Sequence, residues 1–222
     1  MRPSMRQLWL LSVAVLAVLA LAGCQLPGSI PSGWTWVTTM PDPSARVAVV
    51  GDSLTWQAEH GSSSTTDPYY LRHHLIDQLN AQGWAGRVAA KSGATTDALR
   101  MWAGWASPPD VIVMALGTND NYYNVPMATS VANVRGYLGR WPGACVVYVG
   151  VVPSVPRGID DTAPTWNDWL RAEAAATDGV YVDWPAISAT HPAWFTSDLL
   201  HHTAAGQAAY RAAILEGVKP CL

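Results

Sequence analysis

The sequence predicts an α/β domain built on a five-stranded parallel sheet. Short apolar runs without polar alternation recur along the chain, and segments with helical periodicity separate them. Unalternated apolar runs are typical of strands that are buried on both faces. Because a helical segment follows each run, crossovers join the strands, and the helices cover the sheet in three α/β/α layers.

The elements follow in order from these patterns. The strands are predicted at Arg46–Val50, Arg87–Ala90, Val111–Leu116, Cys145–Val151 and Val180–Asp183. The helices are predicted at Tyr69–Gln82, Thr96–Trp105, Met127–Arg140, Thr165–Thr177 and Thr203–Leu215. Threonine is a favourable residue before a helix, so Thr203 is expected to cap the last one. These elements form one domain, from residue 45 to residue 222.

The first residues have the character of an export signal. Arg2 and Arg6 precede the apolar run Leu8–Ala22, and small residues lead to Cys24. This pattern resembles a bacterial lipoprotein signal, in which the cysteine receives lipid; an ordinary secretory peptide and an uncleaved anchor are the alternatives. We therefore expect a signal peptide at 1–23 and an exported protein held on the outer side of the membrane by lipid on Cys24. Residues 24–44, rich in Pro, Gly, Ser and Thr, predict a tether.

Charge and motif content exclude several classes of partner. The chain has a net charge of −3, and lysine occurs only at Lys91 and Lys219. Without a basic cluster, nucleic acid and anionic headgroups are poor partners, so membrane association depends on the anchor. No phosphate loop, dinucleotide fingerprint or metal-binding motif occurs. We expect a monomer that needs no metal or other cofactor.

The remaining two cysteines are predicted to form one disulfide. Cys145 opens the fourth strand, at the amino end of the sheet. The last helix runs back antiparallel to the strands, and Cys221 follows shortly after it. Both cysteines should therefore meet at that end, and an oxidising compartment would keep them paired.

The opposite edge of the sheet gathers the reactive side chains. The carboxyl ends of parallel strands lie along one edge, where open α/β sheets place their chemistry. Ser53 follows the first strand, Gly93 the second and Asn119 the third, and Asp198 and His201 follow the fifth. Serine, histidine and aspartate are the set needed for nucleophilic acyl transfer, so this edge is the predicted active site.

Four short motifs at this edge carry a family resemblance. They are Gly-Asp-Ser-Leu at 51–54, Gly93, Gly117-x-Asn119-Asp120 and Asp198-x-x-His201. In this order they resemble the motifs of the SGNH/GDSL hydrolases, from Arg46 to the end of the last helix. The resemblance implies a flavodoxin-like sheet with strand order 2-1-3-4-5, and hydrolysis of esters. His202 departs from the pattern, because proline usually follows the histidine in this family.

The chemistry assigns a role to each residue. Ser53 is the expected nucleophile, through an acyl-enzyme, and His201 is the base that takes its proton. Asp198 is expected to orient the imidazole and to stabilise its charged form. The backbone N–H groups of Ser53 and Gly93 and the side-chain amide of Asn119 are the candidate donors to the oxyanion.

The expected function is hydrolysis of a small-molecule or glycan ester. Trp56 follows the serine motif and is a candidate for substrate binding, as the wall of an acyl or sugar pocket. Singly, each motif also suits a turn or a helix cap. Two other functions use the same fold: an acyltransferase that modifies a cell-envelope glycan, and a non-catalytic cell-wall binding module. The intact set of Ser53, Asn119 and His201 argues against the binding module.

Overall fold

The structure is a five-stranded parallel sheet, which confirms the predicted fold class and strand order. In this computed structural model, residues 42–61, 73–102 and 107–222 are described. The strands lie in the order β2-β1-β3-β4-β5, and every neighbouring pair is parallel. They are β1 (Ala45–Gly51), β2 (Trp84–Ala90), β3 (Val111–Ala115), β4 (Cys145–Val149) and β5 (Val180–Val182).

Helices flank the sheet. In chain order they are α1 (Ser53–His60), α2 (His74–Ala81), α3 (Thr118–Tyr122), α4 (Met127–Leu138), α5 (Ala163–Ala176), α6 (Trp184–Ser188) and α7 (Ala204–Val218). Helix α1 contacts both α2 and α7, and α7 also packs on β3, β4 and β5. Helix α5 packs on β4 and β5. Thr203 caps α7 as predicted, because its side chain accepts a hydrogen bond from the backbone of Gly206.

Most predicted bounds differ from the structure by one to three residues, and three segments need separate description. Strand β2 begins at Trp84 rather than Arg87, because the buried residues Trp84 and Ala85 already pair with β1. The helix predicted over Thr96–Trp105 is a short 3-10 helix at Thr96–Arg100, and residues 103–106 lie outside the described part. Of the helix predicted at Tyr69–Gln82, the described part forms α2.

The core explains why the strands show no alternation in sequence. All five residues of β3 are buried, and so is every residue of β1 except Arg46. Both strands lie inside the sheet, with helices on either side, so each face requires apolar side chains.

A disulfide joins Cys145 to Cys221, the pair for which the sequence predicts a bridge. Their Cα atoms are 5.7 Å apart. Cys145 is the first residue of β4, and Cys221 lies three residues beyond the end of α7. The bridge therefore fastens the end of the chain to the amino edge of the sheet, opposite the edge where the strands end.

The predicted signal peptide, Cys24 and most of the tether lie outside the described residues. Within residues 42–61, 73–102 and 107–222, no helix is both long enough and apolar enough to cross a membrane.

Candidate active site

Ser53 stands at the junction between the first strand and the first helix. Strand β1 ends at Gly51, and α1 begins at Ser53. Asp52 caps the helix, since its Oδ1 accepts a 3.0 Å hydrogen bond from the backbone N–H of Leu54. Burial raises the pKa of Asp52 to about 6. The backbone N–H groups in the first turn of a helix have no partner within the helix. The backbone N–H of Ser53 can therefore donate to another acceptor.

A continuous chain of hydrogen bonds links Ser53, His201 and Asp198. Ser53 Oγ lies 2.9 Å from His201 Nε2. On the other side of the ring, His201 Nδ1 lies 2.6 Å from Asp198 Oδ2. With the hydrogen on Nδ1, the ring donates to the carboxylate and its Nε2 faces the hydroxyl as an acceptor.

The spacing of Asp198 and His201 follows from a turn that Asp198 itself builds. Its Oδ1 accepts hydrogen bonds from the backbone N–H groups of Leu200, at 3.1 Å, and His201, at 3.0 Å. Thr196 Oγ1 donates to the same oxygen over 2.8 Å. Leu199 has a φ of 54°, which reverses the chain within the turn. The carboxylate therefore shapes the turn with one oxygen and receives the imidazole on the other.

Arg157 is a member of the site that the sequence analysis missed. Its Nη2 and Nε donate to Asp198 Oδ2 over 2.7 and 3.2 Å. Burial tends to raise the pKa of Asp198, but hydrogen bonds from His201, Arg157 and Thr196 hold this pKa well below its usual range. The topology offered a signal, because Arg157 follows β4 and so reaches the same edge as the residues after the other four strands.

Asn119 and Gly93 line the same cleft as Ser53. The side-chain amide of Asn119 donates a 3.0 Å hydrogen bond to the backbone carbonyl of Ala94. Gly93 has a φ of 76°, which strongly favours glycine. Gly117, just before Asn119, has a φ of 125°, and a Cβ atom there would collide with the indole nitrogen of Trp166. Because residue 117 is glycine, the backbone at the start of the Gly117-x-Asn119-Asp120 motif can pack closely against Trp166 of α5.

These side chains open into one cleft of about 590 Å³. Its lining includes Ser53, Gly93, Asn119, Asp198 and His201. The structure thus brings together five of the six residues predicted for catalysis, the oxyanion and substrate binding. The others that line the cleft are Gln57, Ser92, Thr118, Tyr122, Tyr123, Arg157, Thr196 and Leu200.

The sixth residue, Trp56, is not part of this lining. Its ring lies on that of His60, with 4.1 Å between the ring centroids. The residue of α1 that shares the cleft with Ser53 is Gln57, four positions along the helix and hence on the same face. Among the described residues, the aromatic wall of the cleft consists instead of Tyr122 and Tyr123, which sequence reasoning missed. Their rings meet edge to face at 4.9 Å, and both side chains are exposed.

His201 and His202 have opposite surroundings although they are neighbours. His202 is 2% exposed and packs against the rings of Trp184, Phe195 and Tyr210. Burial lowers the pKa of His202 to about 3. His202 is therefore a neutral part of the core, and His201 is the histidine that faces Ser53.

In the described ranges, no three His, Cys, Asp or Glu side chains lie close enough together to hold a metal ion.

Several solved structures are similar in fold to this chain. Phospholipase A1 from Streptomyces albidoflavus is 21% identical, with a TM-score of 0.59, over 78% of this chain and 99% of that one. A lipase/acylhydrolase from Enterococcus faecalis is 19% identical, with a TM-score of 0.65, over 79% and 96%. An acetylxylan esterase from Geobacillus stearothermophilus is 18% identical, with a TM-score of 0.60, over 79% and 94%. At sequence identities of 18–21%, the similarity shows a shared fold.

The sequence itself gives the family. No curated protein matches the chain significantly. The family model of the GDSL-like lipase/acylhydrolases matches residues 49–209, which include Ser53, Asn119 and His201. The chain belongs to the GDSL-like lipase/acylhydrolase family and so to the hydrolases of ester bonds.

Proposed function

We propose that the chain hydrolyses carboxylic esters through an acyl-enzyme on Ser53. The observation that carries the proposal is the hydrogen-bond chain from Ser53 Oγ through His201 to Asp198, which opens into the cleft. A serine hydroxyl is a weak nucleophile until a base accepts its proton, and His201 Nε2 lies at the distance that this transfer needs.

The reaction proceeds in two halves. His201 takes the proton as Ser53 Oγ attacks the ester carbonyl carbon, and a tetrahedral intermediate forms. When the intermediate collapses, His201 returns that proton to the leaving alcohol, and the acyl group remains on Ser53. A water molecule then gives a proton to His201 and attacks the acyl carbon. When this second tetrahedral intermediate collapses, His201 returns the proton to Ser53 Oγ, and the carboxylic acid is released. Asp198 holds the imidazole and stabilises its charged form in both halves.

Three donors are assigned to the negative oxygen of the intermediate. They are the backbone N–H groups of Ser53 and Gly93 and the second amide hydrogen of Asn119. The first amide hydrogen is fixed on the Ala94 carbonyl, which orients the group before substrate binds. Donors that are fixed in advance stabilise the developing charge without reorganisation.

The substrate class is a small-molecule or glycan ester. Tyr122 and Tyr123 offer exposed aromatic surface beside the nucleophile, and such surface suits an acyl chain or a sugar ring. Arg157, the cation in the cleft lining, is already paired with Asp198, so an ester without negative charge fits best.

A serine-reactive phosphonate probe tests the mechanism directly. Wild-type protein should lose hydrolysis of 4-nitrophenyl esters on labelling, and peptide mass spectrometry should locate the adduct on Ser53. Ser53→Ala should be neither labelled nor active, with an unchanged melting temperature. Ser44→Ala is the matched control, because Ser44 precedes the same strand at its other end and bonds to the Gly83 carbonyl. Labelling or activity that survives in Ser53→Ala would exclude the proposed nucleophile.

For localisation we propose export and attachment to the membrane by lipid on Cys24. The support is the sequence pattern at residues 1–24 together with the disulfide, since disulfides persist in oxidising compartments. Full-length protein expressed in bacteria should enter the detergent phase and carry a lipid mass on Cys24, whereas Cys24→Ala should carry none. An unmodified Cys24 at the mature amino terminus would contradict the anchor.

A further inference from the structure

Arg157 extends the hydrogen-bond chain beyond Asp198. The ion pair joins residues from two different loops, one after β4 and one after β5. We propose that Arg157 is a positioning residue that holds Asp198 Oδ2 against His201 and whose positive charge opposes protonation of the imidazole before substrate binds. This inference rests on the proposed function, in which His201 is the base.

The first argument is that His201 and Arg157 contact the same carboxylate oxygen of Asp198. Asp198 Oδ2 receives His201 Nδ1 at 2.6 Å and Arg157 Nη2 at 2.7 Å. Nη2 also lies 3.4 Å from His201 Nδ1. When Nδ1 carries the hydrogen that it donates to Asp198, it has no lone pair for Arg157, so this contact is not a hydrogen bond. Both groups are donors that converge on the same acceptor.

The second argument is the charge that this convergence places beside the ring. A carboxylate alone favours the protonated imidazole, because opposite charges attract. The guanidinium carries a permanent positive charge and opposes that protonation from 3.4 Å, against 2.6 Å for the carboxylate oxygen. Arg157 thus offsets part of the attraction of Asp198 while holding Oδ2 against Nδ1. His201 keeps its hydrogen-bond partner and its orientation but resists being protonated before substrate arrives.

Other titratable groups surround His201. Asp52, in the turn between β1 and α1, and His202, the next residue in the chain, both interact with it electrostatically. Tyr122 and Tyr123 line the same cleft from α3 and its end. Because the pKa of Asp52 is about 6, its titration overlaps the acid limb of a pH–rate profile. The test must therefore observe His201 itself as well as the rate.

The experiment is an NMR titration of the histidine ring protons in the full chain. The His201 signal is assigned by its loss in His201→Gln. In Arg157→Gln, the pH at which His201 takes up its proton should rise by about one unit, the size expected for a nearby unit charge screened as in water. Arg157→Lys, which retains the charge, should restore most of the wild-type midpoint. The acid limb of ester hydrolysis should move in the same direction.

Arg171→Gln is the matched control, because Arg171 is an exposed arginine of α5 whose ion pairs are with Asp168 and Asp183. It should leave the His201 midpoint unchanged. An unmoved or lowered midpoint in folded Arg157→Gln would overturn the inference. So would a rate loss confined to esters with an anionic group, which would make Arg157 a substrate contact. The titration needs no activity, so a wild-type protein without esterase activity would refute the proposed function separately.

Discussion

Asn119 donates its side-chain amide to the backbone carbonyl of Ala94 across 3.0 Å. The two residues belong to different segments, one after β3 and one after β2. The bond therefore fixes the rotation of an amide that lines the same cleft as Ser53. In the proposed mechanism its second hydrogen is the donor to the substrate oxygen.

Replacing Asn119 by alanine should slow ester hydrolysis more than it weakens binding. Removal of one oxyanion donor costs about 10²–10³ in kcat in a serine hydrolase. Steady-state kinetics should show this loss in kcat with KM changed by only a few fold, because the donor acts mainly on the intermediate. Asn133→Ala is the control, since Asn133 lies on α4 and bonds to Thr96 rather than to the cleft. Equal kcat in Asn119→Ala and wild type would show that Asn119 does not stabilise the oxyanion.

Glu59 is expected to be a main determinant of stability near α1. Its carboxylate is 2% exposed, and its Oε2 accepts hydrogen bonds from the backbone N–H groups of Leu75 and Ile76 in the first turn of α2. Its Oε1 accepts His73 Nδ1 over 2.7 Å. Glu59→Ala should lower the free energy of unfolding by about 3 kcal/mol, because buried donors lose a charged acceptor. Urea unfolding measures this, and Glu216→Ala, at an exposed ion pair, should show almost no change.

His202 should make the fold sensitive to acid. Its pKa is about 3 in the folded protein against 6.5 for the free side chain, so the unfolded chain binds the extra proton between these values. The contribution of His202 to stability is complete above about pH 6.5 and decreases as the pH falls toward 3. By pH 4.5 this loss should reach about 3 kcal/mol.

The variant His202→Phe removes that proton uptake while keeping an aromatic ring among Trp184, Phe195 and Tyr210. Urea unfolding at several pH values should show a flatter acid limb for this variant. His191→Phe changes an exposed histidine and should keep the wild-type pH dependence. Identical pH dependence in wild type and His202→Phe would contradict the assignment.

Loss of the Cys145–Cys221 bridge should reduce stability without stopping catalysis. The bridge spans 76 residues, and closing a loop of that length is worth about 4 kcal/mol in the chain-entropy model. The double variant Cys145→Ala/Cys221→Ala should therefore melt about 10 °C lower, as measured by calorimetry. Its kcat at 25 °C should match wild type, because the bridge lies at the edge of the sheet opposite Ser53. A large loss of kcat in folded protein would show that the bridge also shapes the cleft.

The sequence was sufficient for the sheet and for most of the site for one physical reason. Strands β1 and β3 are buried on both faces, so their apolar runs are uninterrupted, and the parallel topology then places the residues after each strand at one edge. The same rule placed Ser53, Gly93, Asn119 and His201 together. The same rule applies to Arg157, which follows β4.

Other features had no such signal. Helix α1 was not predicted, because it is short and its buried side includes polar residues such as Gln57 and Glu59, which conceal the helical period. Trp56 was expected to line the cleft from its place in the sequence, but the direction of a side chain on a helix depends on where the helix packs. The exposed residues Tyr122 and Tyr123 lie at the end of α3. This helix has only five residues and is too short to show a helical period in the sequence.

The disulfide also divides the residues of the cleft into two groups. Ser53, Gly93 and Asn119 precede Cys145, whereas Arg157, Asp198 and His201 lie within the covalent ring that Cys145 and Cys221 close. A protease that cuts the backbone once inside this ring leaves a single covalent molecule, with both new ends still attached to the sheet. A cut between Ser53 and Cys145 instead leaves two pieces that only packing holds together. The half of the cleft that holds Asp198 and His201 is thus protected against fragmentation, and the half that holds Ser53 is not.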